Sequence, residues 1–308
     1  MKKILIFGGT GFIGTQLTKK LKSEGNYLIL ATRNKNAKNI NLNIIDEIVE
    51  YREGEYSALK EIKAIDVIIN LAGESIIGLR WTKQKKKRIL ESRLKVIKVI
   101  EAFVKERDSK IPLLIQASAA GFYGYSDDDK VVNEDAPSGE GFLADTCKVL
   151  EMEALRLNGH FNRIAIVRFG IALGNGGFVR QILRGFKFKV GVSIGNGSNW
   201  FSWIHVHDVV KGISFIIEKE ELEGIINFVA KESIRFAEFT KALARIKNTL
   251  IIINIPYFIY KPVIGEMADM LTKGISIEPK KLIDSGYEYE FVNMEEALLD
   301  IFKNNNGI

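Results

Sequence analysis

The run Ile4-Leu5-Ile6-Phe7, followed at once by Gly8-Gly9-Thr10-Gly11-Phe12-Ile13-Gly14, leaves this chain few folds to choose from. Four consecutive apolar residues suit a strand buried on both faces of a parallel sheet. Leu17 and Leu21 then lie one helical turn apart. Strand, glycine turn and helix in that order are the context in which a GxGxxG-like spacing predicts a dinucleotide site. On this reading Gly9 allows the tight turn, Gly11 lets backbone approach a pyrophosphate, and Gly14 lets helix and strand pack closely. Gly8, Thr10, Phe12 and Ile13 complete the turn, and the free N–H groups at the positive end of the helix face the phosphates.

The 308 residues amount to about two domains, or to one continuous α/β unit, and 46% of them are hydrophobic, enough for a large core. The net charge of +6 is mild; the basic cluster Lys83 to Arg88 reads as a solvated helix face, not as a nucleic-acid stripe. A single cysteine, Cys147, excludes an internal disulfide and a Cys-based zinc site and suits a reducing compartment. The glycine turn interrupts the apolar run after Met1-Lys2-Lys3, which argues against a signal peptide. Asn254, Pro256, Lys261 and Pro262 interrupt the apolar stretch Leu250 to Ile264, so it does not span a bilayer. The expectation is a soluble cytoplasmic protein with a small-molecule substrate and neither nucleic acid nor membrane as partner. The sequence permits a homodimer without deciding it.

Tyr27 to Ala31 predicts a second buried strand, followed by Thr32-Arg33-Asn34 where a NAD-preferring site has an acidic residue. A guanidinium can pair with a 2′-phosphate that a carboxylate would repel, so Arg33 and Asn34 favour NADP over NAD. Residues 36–47 read as a loop and Ile48 to Tyr51 as a short strand. Asp66 to Glu74 is a further strand ending in small residues, and at its carboxyl end Leu71, Ala72 and Gly73, with Glu74, would run past the cofactor. Thr82 caps a long helix over Lys83 to Lys105 that contains Ser92 and Arg93. Arg93 either reaches a phosphate or carboxylate or sits in a surface ion pair. Leu113 to Ser118 is the next strand, leading into Ala119-Ala120-Gly121-Phe122-Tyr123-Gly124.

With these pieces in hand, the chain resembles the extended, epimerase-like branch of the short-chain dehydrogenase/reductase superfamily. The matching segments are Gly8 to Gly14, Asp66 to Gly73, Ser118 with Tyr123-Gly124, and Trp203-Ile204-His205-Val206-His207-Asp208. More narrowly, it resembles the atypical epimerase-family proteins with a C-terminal domain of unknown function. Asn70 to Glu74, Arg80-Trp81-Thr82, Ser92-Arg93, Val167-Arg168-Phe169-Gly170, Leu173 to Gly177 and Gly265-Glu266-Met267-Ala268 carry that likeness. The resemblance implies a Rossmann doubly wound parallel sheet and a Tyr-x-x-x-Lys on the helix after the serine strand. There the lysine lowers the tyrosine pKa and holds the ribose, and the tyrosine exchanges a proton with substrate.

That pair is missing. If Glu151 takes the place of the acidic residue that commonly follows the motif, Leu143 stands in the tyrosine place and Cys147 in the lysine place. Lys148 is one residue late, about 100° around the helix. Tyr56 with Lys60 and Tyr257 with Lys261 match the spacing by chance. Ser118 and Tyr123 remain as catalytic candidates, Ser118 to hydrogen-bond a substrate carbonyl or cap a turn, Tyr123 as an acid or as packing. Cys147 reads as a small buried residue, while Asp145 and Glu74 offer carboxylates, with a cap and a ribose contact as their competing roles.

In the second half, Arg163 to Arg168 predicts a sixth strand whose terminal Arg168 reaches cofactor or substrate, or forms a structural ion pair. Trp200, Phe201 and Trp203 either stack a substrate ring or pack in the core. His205 and His207 lack the further ligands of a zinc site, and Asp208 is expected to cap a helix over Val209 to Ile217. Ile225 to Val229 and Ile251 to Ile255 predict strands, Phe236 to Ala244 an amphipathic helix, and the rest, with Met267, Met270, Leu271, Leu282 and Phe291, a small lid with few polar convergences ending in a frayed tail, Asn304 to Ile308. The expected organisation is an NADP-binding Rossmann domain over 1–180, to which some later segments return, and a smaller substrate-side domain over 181–308. Two functions fit: an NADP-dependent oxidoreductase or epimerase-like enzyme transferring hydride on a carbonyl or hydroxyl compound that could be sugar-like, or a non-catalytic NADP-binding regulatory or redox-sensing module.

Overall fold

The computed structural model describes residues 1–303 except 53, 78–79, 127–128 and 187–188; of Ile194 and Leu271 only the backbone is described, and Asn304 to Ile308 lie outside the described residues. Seven parallel strands form the central sheet: β1 (Lys3–Phe7), β2 (Tyr27–Thr32), β3 (Glu47–Glu50), β4 (Val67–Asn70), β5 (Ile111–Ala119), β6 (Phe161–Phe169) and β7 (Gly224–Phe228), in the order β7-β6-β5-β4-β1-β2-β3. The chain builds outward from β1 in one direction through β3, then returns beside β1 with β4 and builds the other way. Ligands of such sheets bind where the order reverses, beyond the carboxyl ends of β1 and β4.

Alternate residues of each strand face opposite sides, and both sides are buried, which is why β1 reads as an unbroken apolar run. Leu5, Phe7, Ile29 and Ile68 meet Val96, Ile100 and Phe103 of α2 (Lys83–Lys105) and Leu150 and Ala154 of α3 (Phe142–Leu155). On the other face Ile4, Ile6, Leu28 and Ile69 meet Leu17 and Leu21 of α1 (Phe12–Ser23) and Val209, Ile213 and Ile216 of α4 (Val206–Glu218). Thr82 caps α2 as expected, its hydroxyl accepting from the Lys85 N–H at 3.2 Å.

Short pairings beyond the sheet assemble the second half: Ile171–Leu173 with Trp203–His205, Trp200–Phe201 with Ile234–Arg235, Val190–Ile194 with Ile251–Ile255, and Val131–Val132 with Ser276–Ile277. Phe178, Phe201, Trp203, Phe236 and Phe239 pack with α5 (Phe236–Ile246) and α6 (Met294–Lys303). Phe201 and Trp203 are therefore core residues; Trp200 is the half-buried one.

Asp208 does not cap α4. The helix begins earlier, at Val206, and its N-cap is His205, whose Nδ1 accepts from the His207 N–H at 3.3 Å. Asp208 is fully buried and accepts the N–H groups of Glu290 and Phe291 at 2.7 and 3.0 Å and the Tyr287 hydroxyl at 3.1 Å. The C-terminal stretch thus has the polar convergence its sequence concealed: one carboxylate ties it to the central sheet layer. No helix among the described residues is long and apolar enough to cross a membrane.

Candidate active site

The glycine turn is shaped by backbone on both sides. Gly8, not Gly9, carries the positive φ (+81°), and a Cβ on it would lie 2.7 Å from the Ala72 nitrogen, where the chain leaves β4. A Cβ on Gly9 would meet Leu30 Cδ1 at 2.7 Å, and one on Gly14 the Gly8 carbonyl oxygen at 2.2 Å. The turn is closed by the Gly11 N–H on the Gly8 oxygen at 3.0 Å. The loop after β2 reaches over it, Asn39 donating to the Thr10 carbonyl at 2.9 Å.

Around this turn lies a cavity of about 450 Å³ that gathers Gly8, Thr10, Gly11, Arg33, Asn34, Leu71, Ala72 and Gly73. It also takes in Tyr51, Ser92 and Lys95, to which no role was assigned from sequence; Ser92 and Lys95 come from α2, which only the packing of that helix against β4 brings here. The bare α1 N-terminus, the narrow glycine floor and the exposed Arg33 suit a phosphorylated dinucleotide, with phosphates on the turn and the adenosine 2′-phosphate on the guanidinium.

The other expected contacts are placed elsewhere. The Phe12 ring fills the space left by Gly174, Gly176 and Gly177, where added Cβ atoms would approach it to 2.8, 2.8 and 3.2 Å. Ile13 packs on the core. The Glu74 carboxylate binds Lys85 at 2.6 Å and Arg88 at 3.3 Å, which hold it below the usual carboxylate range, and its N–H donates to Ser92 Oγ at 2.9 Å. Of the two readings of Arg168, the structure shows the ion pair: its Nε and Nη2 donate to both Glu151 oxygens at 2.9 and 2.8 Å, with both residues buried.

That pair anchors a buried polar chain. Ser118 Oγ donates to Glu151 Oε1 at 2.6 Å, Arg168 Nη1 donates to the Tyr123 hydroxyl at 2.9 Å, and that hydroxyl donates to Asn227 Oδ1 at 2.8 Å. Phe122 lies across the guanidinium, ring centroid 3.3 Å from Cζ. Tyr123 is consequently a buried link, raised above its ordinary pKa by burial, and not an acid facing the crevice. Ser118 has one proton, and Glu151 takes it. Its oxygen is left to accept from a hydroxyl, the reverse of the expected donation to a carbonyl.

On α3, Leu143, Cys147 and Glu151 share one face toward β5. A Cβ on Gly121 would sit 3.1 Å from Leu143, and Cys147 Sγ lies 3.7 Å from the Ala119 oxygen. Burial pushes the Cys147 thiol up to about 11. At pH 8 it should therefore react with a disulfide reagent on the order of 100-fold more slowly than the same thiol in urea; a comparable rate in the folded state would show an activated thiolate instead. Lys148 and Asp145 pair on the exposed side at 3.1 Å. Tyr125, overlooked from sequence, packs against the cluster of Trp81, Leu143 and Met267, and its buried hydroxyl has no partner among the described residues.

A larger cavity, about 780 Å³, is lined by Ser126, next to Tyr125 in the chain, and by Asn196, Trp200, Arg235, Asn254 and Tyr257 among others. Arg235 stacks on Trp200 at 3.6 Å and binds Asp129 at 2.5 Å. His205, His207 and Asp300 approach within 4.8 Å of one another. Burial holds His205 neutral, at about 3, and its Nδ1 lone pair accepts from backbone, so Nε2 bears the proton facing Asp300 at 3.5 Å. No lone pair of that ring remains for a metal.

A sequence model of the NAD dependent epimerase/dehydratase family matches residues 4–228, and one of a domain of unknown function, DUF1731, matches 255–301. The epimerase family protein YfhF of Bacillus subtilis (strain 168) is 34% identical over 296 residues, 96% of each chain. The epimerase family protein SDR39U1 of Mus musculus is 30% identical over 97% of this chain and 99% of its own. The crystal structure of human epimerase family protein SDR39U1 (isoform 2) with NADPH is 28% identical and matches at a TM-score of 0.86, covering 98% of this chain and 99% of that one. The UDP-glucose 4-epimerase of Thermus thermophilus, 16% identical at a TM-score of 0.78 over 99% of this chain and 100% of its own, shares the fold. The sheet order, the glycine turn and the match across 4–228 agree: this chain belongs to the NAD dependent epimerase/dehydratase family.

Proposed function

We propose that this protein is an NADP-dependent oxidoreductase of the epimerase-like kind, acting on a small hydroxyl or carbonyl compound. One observation carries the reading: a single edge of the sheet bears an arginine beside a phosphate-sized glycine cradle at one end and a serine hydrogen-bonded to a buried carboxylate at the other. NADP, when bound, supplies the hydride acceptor or donor. Arg33 and Asn34 would hold its adenosine end, and the N-terminus of α1 its phosphates. Ser118, oriented by Glu151, accepts a hydrogen bond from the substrate hydroxyl, and Arg168, bonded to both Glu151 oxygens, fixes that carboxylate so that the serine stays turned that way. The larger cavity provides room for the substrate body, with Trp200 and Arg235 on its wall.

The second reading, a coenzyme-binding module without turnover, is favoured by Leu143 and Cys147 standing where a proton-transferring pair would be. Absorbance at 340 nm decides between them when the protein holding NADPH is offered a carbonyl library. The enzyme reading expects steady loss of absorbance, slowed about 100-fold by Ser118→Ala. Tight binding without turnover across the library supports the module. In both, Arg33→Ala should weaken NADPH at least about tenfold and leave NADH unchanged.

A further inference from the structure

Helices α2 and α3 lie side by side in matching register. The Trp81 and Phe142 rings meet edge-on at 5.5 Å, Lys86 Nζ sits 5.0 Å above the Phe142 ring, and Ile89 shares a cluster with Leu143. One turn further along each helix come Arg93 and Cys147, which therefore face each other. The Arg93 charge accordingly opposes the upward push of burial on the Cys147 thiol.

The Arg93 guanidinium is laid against the backbone that leaves β4. A Cβ on Gly73 would fall 2.8 Å from its Cζ and 2.9 Å from its Nε. Nη1 donates to the carbonyls of Glu74 and Ile89 at 3.0 and 2.9 Å. Nε and Nη2 have no acceptor among the described residues, and no carboxylate there pairs with the group, since Glu74 is taken by Lys85 and Arg88. A half-buried cation with open donors is costly unless something polar meets it. Arg93 is not itself among the residues lining the smaller cavity, but it lies against Gly73, which is, on the β4 side of β1, whereas Arg33 follows β2 on the other side. A dinucleotide lying across the β1/β4 reversal places its second nucleoside there.

We propose that Arg93 holds the ribose of that second, nicotinamide nucleoside, donating from Nε and Nη2 to its hydroxyls, and so supplies from α2 the cation that α3 lacks at Cys147. The proposal rests on the coenzyme reading above, and two ligands separate them. Adenosine 2′,5′-bisphosphate contains the adenosine half and no second ribose; NADPH contains both. By titration calorimetry, Arg93→Met should weaken NADPH about tenfold or more, as for loss of hydrogen bonds from a charged donor, and leave the bisphosphate within about twofold of the parent. Arg93→Lys should recover part of the loss. Equal weakening of both ligands would show that Arg93 merely props up the Glu74 backbone, and unchanged NADPH affinity would show that it touches nothing; either result overturns the proposal while the coenzyme reading survives. If the parent protein bound neither ligand, the coenzyme reading would fall and this assignment with it.

Discussion

Glu151→Ala is expected to cost about 3–5 kcal/mol of folding stability, the range for removing one partner of a buried ion pair. The substitution would strand the Arg168 guanidinium, 3% exposed, with its Nε and Nη2 donors unmet, and would also release Ser118. The Glu101–Lys105 pair, exposed on one helix, should by contrast be worth less than about 1 kcal/mol. Urea titration of Glu151→Ala, Arg168→Met and the double variant tests this. The double variant should be less destabilised than the sum of the singles, because it leaves no unpaired charge behind. A loss below about 1 kcal/mol for Glu151→Ala would mean the pair is screened by water, contrary to its burial.

Gly14→Ala should remove coenzyme affinity, by about 100-fold or more in NADPH titration, since well-positioned turn contacts to a diphosphate are charge-assisted and act together. Its methyl would stand 2.2 Å from the Gly8 oxygen and 2.6 Å from the Gly9 Cα, both backbone, so the turn must open by roughly an ångström or the helix must move off the sheet. Gly25→Ala is the control. It too has a positive φ (+79°), but nothing lies within 4 Å, so its cost is confined to about 1 kcal/mol of local strain and coenzyme binding should be unchanged. Affinity within about threefold of the parent in Gly14→Ala would sink the cradle assignment.

The parts of this molecule that follow a local pattern were readable from the chain. An unbroken apolar run gave β1, and a threonine before a periodic stretch gave the start of α2 with its cap. Spacing also placed Leu143 and Cys147 on one face of α3. Tertiary geometry was not readable in the same way. Which glycine takes the positive φ depends on where the end of β4 passes, so the turn residue is Gly8 and not Gly9. An aspartate at the start of a helix looks like a cap, yet Asp208 is claimed by backbone 82 and 83 residues away. Tyr123 looked available because nothing in its neighbourhood in sequence announces Arg168 or Asn227. Of the side chains facing the crevice from α2, Ser92 is marked only by the likeness that Ser92-Arg93 carries and Lys95 by nothing local; both face it because their helix lies against the end of β4.

The Phe12 ring has a mechanical consequence. It begins α1, yet its bulk is lodged among three glycines of the segment through which the chain departs β6 for its second half. Close-packed contacts of this kind carry displacement with little slack. A diphosphate that drew the helix inward would drag residues 174–177 with it, gearing the helix they lead into, Gly177–Ile182, to the occupancy of the coenzyme cleft.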